Sequence, residues 1–197
     1  MTDILAGMRG PVAHAPNDIV QRTARMLNCE PAAVAAVAAV EGAGVGMDEK
    51  DRPLIRYERH VFARETQQLY NRSHPHLSGR YDPKFKAGDF DHRWKILEEA
   101  ATLNLSAALK ATSWGMFQVM GFNHRQCGYD TVEEMVRSFA KSETNQYAGL
   151  VKFLTAANLI AALRFKNWGA FARGYNGPSY ADFQYDKRLA SAYAKAK

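Results

Sequence analysis

Residues 32–46, AAVAAVAAVEGAGVG, decide how the rest of the chain is read. Valines at 34, 37 and 40 recur every third residue, and alanines fill the gaps. Alanine is the best helix former, and valine stays in a helix where neighbours pack it. The pattern predicts a short, wholly apolar helix. Pro31 stands at its first position, where a missing N–H costs nothing. Gly42, Gly44 and Gly46 predict a sharp exit and a close approach of the backbone to something else. The helix carries one charge, Glu41, in its last turn. Two readings of it stand. As an ordinary surface residue it reaches solvent. As a buried carboxyl it meets apolar surroundings and the negative end of the helix dipole, and both raise its pKa. A carboxyl kept protonated in that way is what general acid catalysis needs.

The 197 residues predict a flexible lead-in over residues 1–16 and a single domain over 17–197. Hydrophobic content of 47% and charged content of 23% are those of a globular protein that buries a full core. No run reaches the ~18 apolar residues of a membrane span. The first residues, MTDILAGMRGPVAHAP, lack the basic-then-apolar order of a secretory signal, so synthesis in a cytoplasm without signal-peptide export is expected. The net charge of +6 asks for an acidic partner: nucleic acid, anionic lipid or an anionic bacterial wall. No nucleic-acid motif is visible, and nucleic acid is not the expected partner. Cys29 and Cys127 are read as two reduced thiols. Histidines at 14, 60, 74, 76, 92 and 124 are scattered, with no CxxC or HExxH, so neither a metal site nor a cofactor is expected.

Asn17 or Asp18 caps a first helix with Ile19, Val20, Thr23, Met26 and Leu27 on its apolar face. Residues 45–58 are turn-rich, with Asp48 and Asp51 before Pro53. They end in LIRYE, where Ile55 and Tyr57 alternate with Arg56 and Glu58 as in a short strand. Glu58 is either an ion-paired residue between Arg56 and Arg59 or a second working carboxylate. Residues 60–70 return to helix. Residues 71–91 form the longest irregular stretch, a length that often carries function. Helices follow over 92–104 and 105–112. Thr131 and Glu134 form a capping box, Ser142 or Glu143 opens the next helix, and Asn158 caps the one after.

Two more stretches are unusual. In SWGMFQVMG, residues 113–121, Ser113 reads as the cap of a helix start, and Gly115 permits close approach by a ligand. Gln118 is an amide inside an apolar run and needs partners, either a polar ligand or backbone. In NWGAFARGYNGPSY, residues 167–180, Asn167 caps a short helix through Arg173. A tight turn then displays Tyr175 and Asn176. The chain closes on a helix with a basic end.

The three stretches occur in order: a helix ending Ala39-Val40-Glu41-Gly42, then Gly115-Met116-Phe117-Gln118, then Tyr175-Asn176-Gly177. With Arg56-Tyr57-Glu58-Arg59-His60-Val61-Phe62 and Asn167-Trp168-Gly169 they resemble the lysozyme-like superfamily. The resemblance is greatest to the phage and prophage N-acetylmuramidase endolysins, with goose-type lysozymes and soluble lytic transglycosylases as more distant relatives. It spans residues 18–195. It implies a mainly α, lysozyme-like α+β fold with a small β-hairpin or sheet lobe after the catalytic helix. It implies peptidoglycan glycan strands as substrate, Glu41 as general acid, and Tyr57, Ser113, Gln118, Tyr175 and Asn176 on the substrate or the catalytic carboxyl. It further implies action on the cell wall as a monomer after release through a holin.

Glycosidic cleavage passes through an oxocarbenium-like state and normally uses two carboxyls, one protonated in an apolar site and one ionised. Glu41 suits the first role. Glu58, between arginines, suits the second, with Asp48 and Asp51 as competitors. Two other activities remain as alternatives. One is lytic transglycosylation that leaves 1,6-anhydromuramic ends. The other is a cationic module that binds wall, anionic lipid or lipopolysaccharide through the basic surface and the C-terminal helix.

Overall fold

The computed structural model describes residues 5–42, 44–82 and 88–197. Ala43, on the glycine-rich exit, and residues 83–87, within the long irregular stretch, lie outside the described residues, as do residues 1–4 of the lead-in.

The apolar helix forms as its sequence demands. It is α2 (Pro31–Gly42), with proline at its first position. A helix apolar all round has to be enclosed. Here α1 (Ile19–Leu27) and α10 (Tyr185–Ala196) both pack against α2. Seven of its residues are buried, among them Val34 and Val37. The chain then turns into β1 (Ile55–Tyr57), whose buried–exposed–buried pattern matches the alternation of Ile55, Arg56 and Tyr57. After α3 (Arg59–Glu65) come α4 (Phe90–Leu103), capped by Asp89, and α5 (Leu105–Lys110), capped by Asn104.

The segment read as a helix start at Ser113 is instead a hairpin. β2 (Thr112–Trp114) and β3 (Val119–Met120) pair antiparallel, with Trp114 opposite Val119. Gly115 and Gln118 take φ of +70° and +46°, a left-handed backbone that turns the chain back on itself and excludes a helix. β2 also pairs with β1, placing Tyr57 opposite Thr112, so the small lobe is a three-stranded antiparallel sheet in the order β1-β2-β3.

The later helices are α6 (Val132–Lys141), α7 (Glu143–Ala156), α8 (Ile160–Arg164) and α9 (Trp168–Asn176). The capping box of Thr131 and Glu134 opens α6, and Ser142 caps α7. Asn158 does not cap α8: its φ of +55° makes it a left-handed connector, and Leu159 holds the cap position. α9 runs three residues past Arg173, so Tyr175 and Asn176 sit on a helix's last turn rather than on a free turn.

The lead-in is packed where it is described. Leu5 and Met8 are 0% exposed, and the Ala13 N–H donates to the Lys141 carbonyl at 2.9 Å. Burying two such side chains contributes roughly 1.5–3 kcal/mol each toward holding the segment down. Both cysteines are free, Cys127 buried and Cys29 half-buried. Among the described residues no helix is long and apolar enough to cross a membrane.

Candidate active site around Glu41

Glu41 lies half-buried at the end of α2, where the helix leaves its carbonyls without partners. Burial pushes its carboxyl up from 4.5 to about 7; the hydrogen bond from Asn176 and the charge of Arg188 work against that rise. The acid can sit so close to the hairpin because residue 42 is glycine. A Cβ there would stand 2.3 Å from the Met116 carbonyl oxygen. The glycine exit therefore presses α2 against the hairpin loop of residues 115–118.

Two elements bring partners to the end of α2 and its carboxyl. From α9, the Asn176 Nδ2 donates to the Glu41 Oε1 at 3.0 Å. The Oδ1 of the same amide is buried without a hydrogen-bond partner. Tyr175, one residue earlier, donates its hydroxyl to the Phe117 carbonyl at 2.7 Å and stacks on Phe171, which locks α9 to the hairpin loop. From α10, the Arg188 guanidinium donates to the Val40 carbonyl at 3.0 Å and lies 4.8 Å from the Tyr185 ring. A cation on a helix's last carbonyls is favourable there. Tyr185 itself is pushed up chiefly by burial and then by the negative charge of Glu41.

The hairpin loop rests on a residue that the sequence reading missed. Gln146 on α7 is 1% exposed. Its Oε1 accepts the Met116 N–H at 2.8 Å, and its Nε2 donates to the Phe139 carbonyl at 3.1 Å. Gly115 leaves room for this amide, since a Cβ there would come within 2.5 Å of it. A buried amide holding two backbone segments is a positioning group. Its only sequence signal was a glutamine within an otherwise apolar helix face.

The residues expected on the substrate divide. Asn176 is at the carboxyl and Tyr175 braces the wall behind it. Gln118 gives its Nε2 hydrogens to the Leu54 and Gly115 carbonyls and takes the Ser113 hydroxyl on its Oε1, so it shapes the loop. Ser113 is buried beneath it. Tyr57 lies in the core instead of on an open face: it is 1% exposed, and its hydroxyl donates to the Leu77 carbonyl, because β1 turns that side chain inward.

Glu58 stands at the end of β1 and the start of α3, with its N–H on the Ala111 carbonyl. Its carboxylate pairs with Arg56 at 3.0 Å and faces His60 at 3.6 Å; the expected Arg59 is not in that pair. Asp48 is committed to its own loop, paired with Arg52 and accepting the Lys50 and Arg52 N–H groups. Asp51 is exposed in the same turn. Among the described residues no cluster of three or more His, Cys, Asp or Glu side chains is placed to hold a metal ion.

A carboxyl pushed up to about 7 beside an amide, at the junction of the helical body and the small sheet, is able to give up a proton near neutral pH. The family model of the N-acetylmuramidases matches residues 30–197. The chain belongs to the N-acetylmuramidase family. Among solved structures, this muramidase is similar to the crystal structure of the Burkholderia AP3 phage endolysin. The two are 35% identical with a TM-score of 0.80, over 98% of this chain and 76% of that one. No curated protein matches. The family and this neighbour establish a peptidoglycan-cleaving glycosidase with the mostly helical, lysozyme-like fold described above.

Proposed function

We propose that the protein hydrolyses the β-1,4 bond between N-acetylmuramic acid and N-acetylglucosamine, with Glu41 as general acid. The observation that carries this reading is the carboxyl pushed up to about 7 at the end of α2. At neutral pH about half the molecules then hold the proton that the glycosidic oxygen takes as the bond breaks. Asn176 occupies Oε1 and orients the carboxyl, which leaves Oε2 to carry that proton. Glu58 is the candidate for the second carboxyl, holding a water or steadying the oxocarbenium-like charge.

One observation favours a second reading. The polar groups that act on Glu41 are Asn176 and Arg188, and neither is an acid. A site with one working carboxyl suits transglycosylation. In that reaction the muramic 6-hydroxyl attacks its own C1, the bond to the leaving oxygen breaks, and Glu41 first gives and then regains a proton. The cationic-module reading draws less support. Leu189 of α10 is buried, and the Tyr193 hydroxyl is bonded to Glu30, so the helix's apolar side is already covered. Its lysines remain to attract an anionic wall. Release to the wall through a holin accompanies the endolysin reading.

Mass spectrometry of muropeptides released from purified sacculi tests both readings. Hydrolysis leaves reducing muramic ends, and transglycosylation leaves 1,6-anhydro ends. Glu41→Gln is expected to release neither. Release by that variant at near wild-type rate removes Glu41 from the chemistry.

A further inference from the structure

Along α3 and the turns that follow it lies a polar cavity of about 400 Å3. His60, Arg64, Gln67, Gln68, Asn71 and Arg80 line it, and among the described residues no carboxylate does. Arg64 is paired with Glu65 at 2.9 Å and lies over the Phe122 ring, and His60 faces Glu58. Arg80 is exposed and has no acidic partner among the described residues. The chain accepts strain to build this wall. Gln67 and Gln68 take φ of +51° and +63° in succession. One left-handed residue after a helix is routine for glycine or asparagine. Two glutamines in a row are uncommon, and such strain clusters where function holds it.

The cavity also adjoins the small sheet. His60 faces Glu58 at 3.6 Å, and Glu58 pairs with Arg56 of β1 at 3.0 Å. The wall of the cavity therefore stands next to Glu58, the candidate second carboxyl, through His60.

We propose that this cavity binds the carboxylates of the peptide stem carried by muramic acid, and so sets the register of the strand across Glu41. The inference rests on the muramidase reading above. A sugar backbone without its peptide offers hydroxyls and acetamides, whereas the stem adds free carboxylates and a run of amides. A guanidinium pairs with a carboxylate through two parallel hydrogen bonds. Carboxamides match the peptide's own N–H and C=O groups. The lining supplies both, with Arg80 as the guanidinium that no described carboxylate occupies.

The test compares initial rates on glycan strands bearing peptide stems with rates on the same strands stripped by an amidase. The wild type is expected to prefer peptide-bearing strands. Arg80→Ala is expected to lower that preference about tenfold, as befits one charge-assisted contact, and Arg80→Lys to restore part of it. Free tetrapeptide stem is expected to inhibit the wild type more strongly than it inhibits Arg80→Ala. An unchanged preference in Arg80→Ala overturns the proposal. Inhibition by inorganic phosphate equal to that by the tetrapeptide also overturns it, because the cavity is then a general oxyanion site. A wild type that cuts neither kind of strand refutes the muramidase reading instead.

Discussion

The Asn176 amide donates to the Glu41 carboxylate across 3.0 Å, joining residues 135 positions apart at the ends of two helices. This bond favours the ionised carboxyl, while burial favours the protonated one, and the value of about 7 is their balance. Removing the bond should therefore do two things at once. In Asn176→Ala the basic limb of the pH–kcat/KM profile moves above its wild-type position, because the acid keeps its proton longer. The plateau falls by roughly tenfold or more, because the carboxyl loses its orientation. A limb that moves to lower pH contradicts this account.

Arg188 acts on the same carboxyl by charge from an exposed position. Arg188→Ala should also raise the basic limb, but with little loss of plateau rate. Exposed charges are screened over about 10 Å at 0.1 M salt. High salt should consequently move the wild-type limb toward that of the variant and leave the variant's own limb in place. Profiles at 0.05 and 1 M salt would decide it; a limb in the variant that shifts as much as the wild type's removes Arg188 from the acid's field.

Glu41 also sets a pH dependence of stability. Its folded value of about 7 stands above the ordinary 4.5. Below about 4.5 both states hold the proton and nothing is lost. As pH rises toward and through 7, the folded state is penalised relative to the unfolded one, by about 3 kcal/mol at the limit. Glu41→Gln should melt higher than wild type at pH 8 and equal to it near pH 4, by calorimetry. Parity at pH 8 would mean that the carboxyl is better solvated than its burial implies.

Tyr57 lies in the core, so Tyr57→Phe should affect stability more than catalysis. Losing the hydroxyl leaves the Leu77 carbonyl without its donor, at a cost of about 1–2 kcal/mol. At about 2–4 °C per kcal/mol for a chain of this size, the melting point falls by a few degrees. KM on peptidoglycan stays at the wild-type value. A several-fold rise in KM would return Tyr57 to the substrate.

Local chemistry made α2, its proline start, the β1 alternation and the Thr131 capping box readable, because each is written within a few residues. The hairpin at residues 112–120 was not readable in the same way. Its glycine and glutamine serve a helix start or a turn equally well, and pairing with β1, more than fifty residues earlier, decides between them. The family resemblance implies Tyr57 and Gln118 on the substrate, but a match in sequence does not say which way a side chain faces. Gln146 and Arg188 escaped notice for the opposite reason. Each acts on residues far along the chain, and neither lies in an unusual stretch of its own.

The alanines of α2 have a consequence beyond helix formation. Ala35 and Ala39, beside Val40, form the floor of a groove of about 610 Å3 whose other side is α10, with Lys187, Arg188 and Ser191. Small side chains on that floor keep the groove open along the face that Arg188 lines. A bulky side chain at Ala35 or Ala39 touches no reacting atom, yet it would grow into the space beside the Arg188 guanidinium. In this muramidase the bareness of one helix face therefore leaves a cation free to bear on a carboxyl, and bulky mutations there should surface in the pH optimum before they surface in the melting curve.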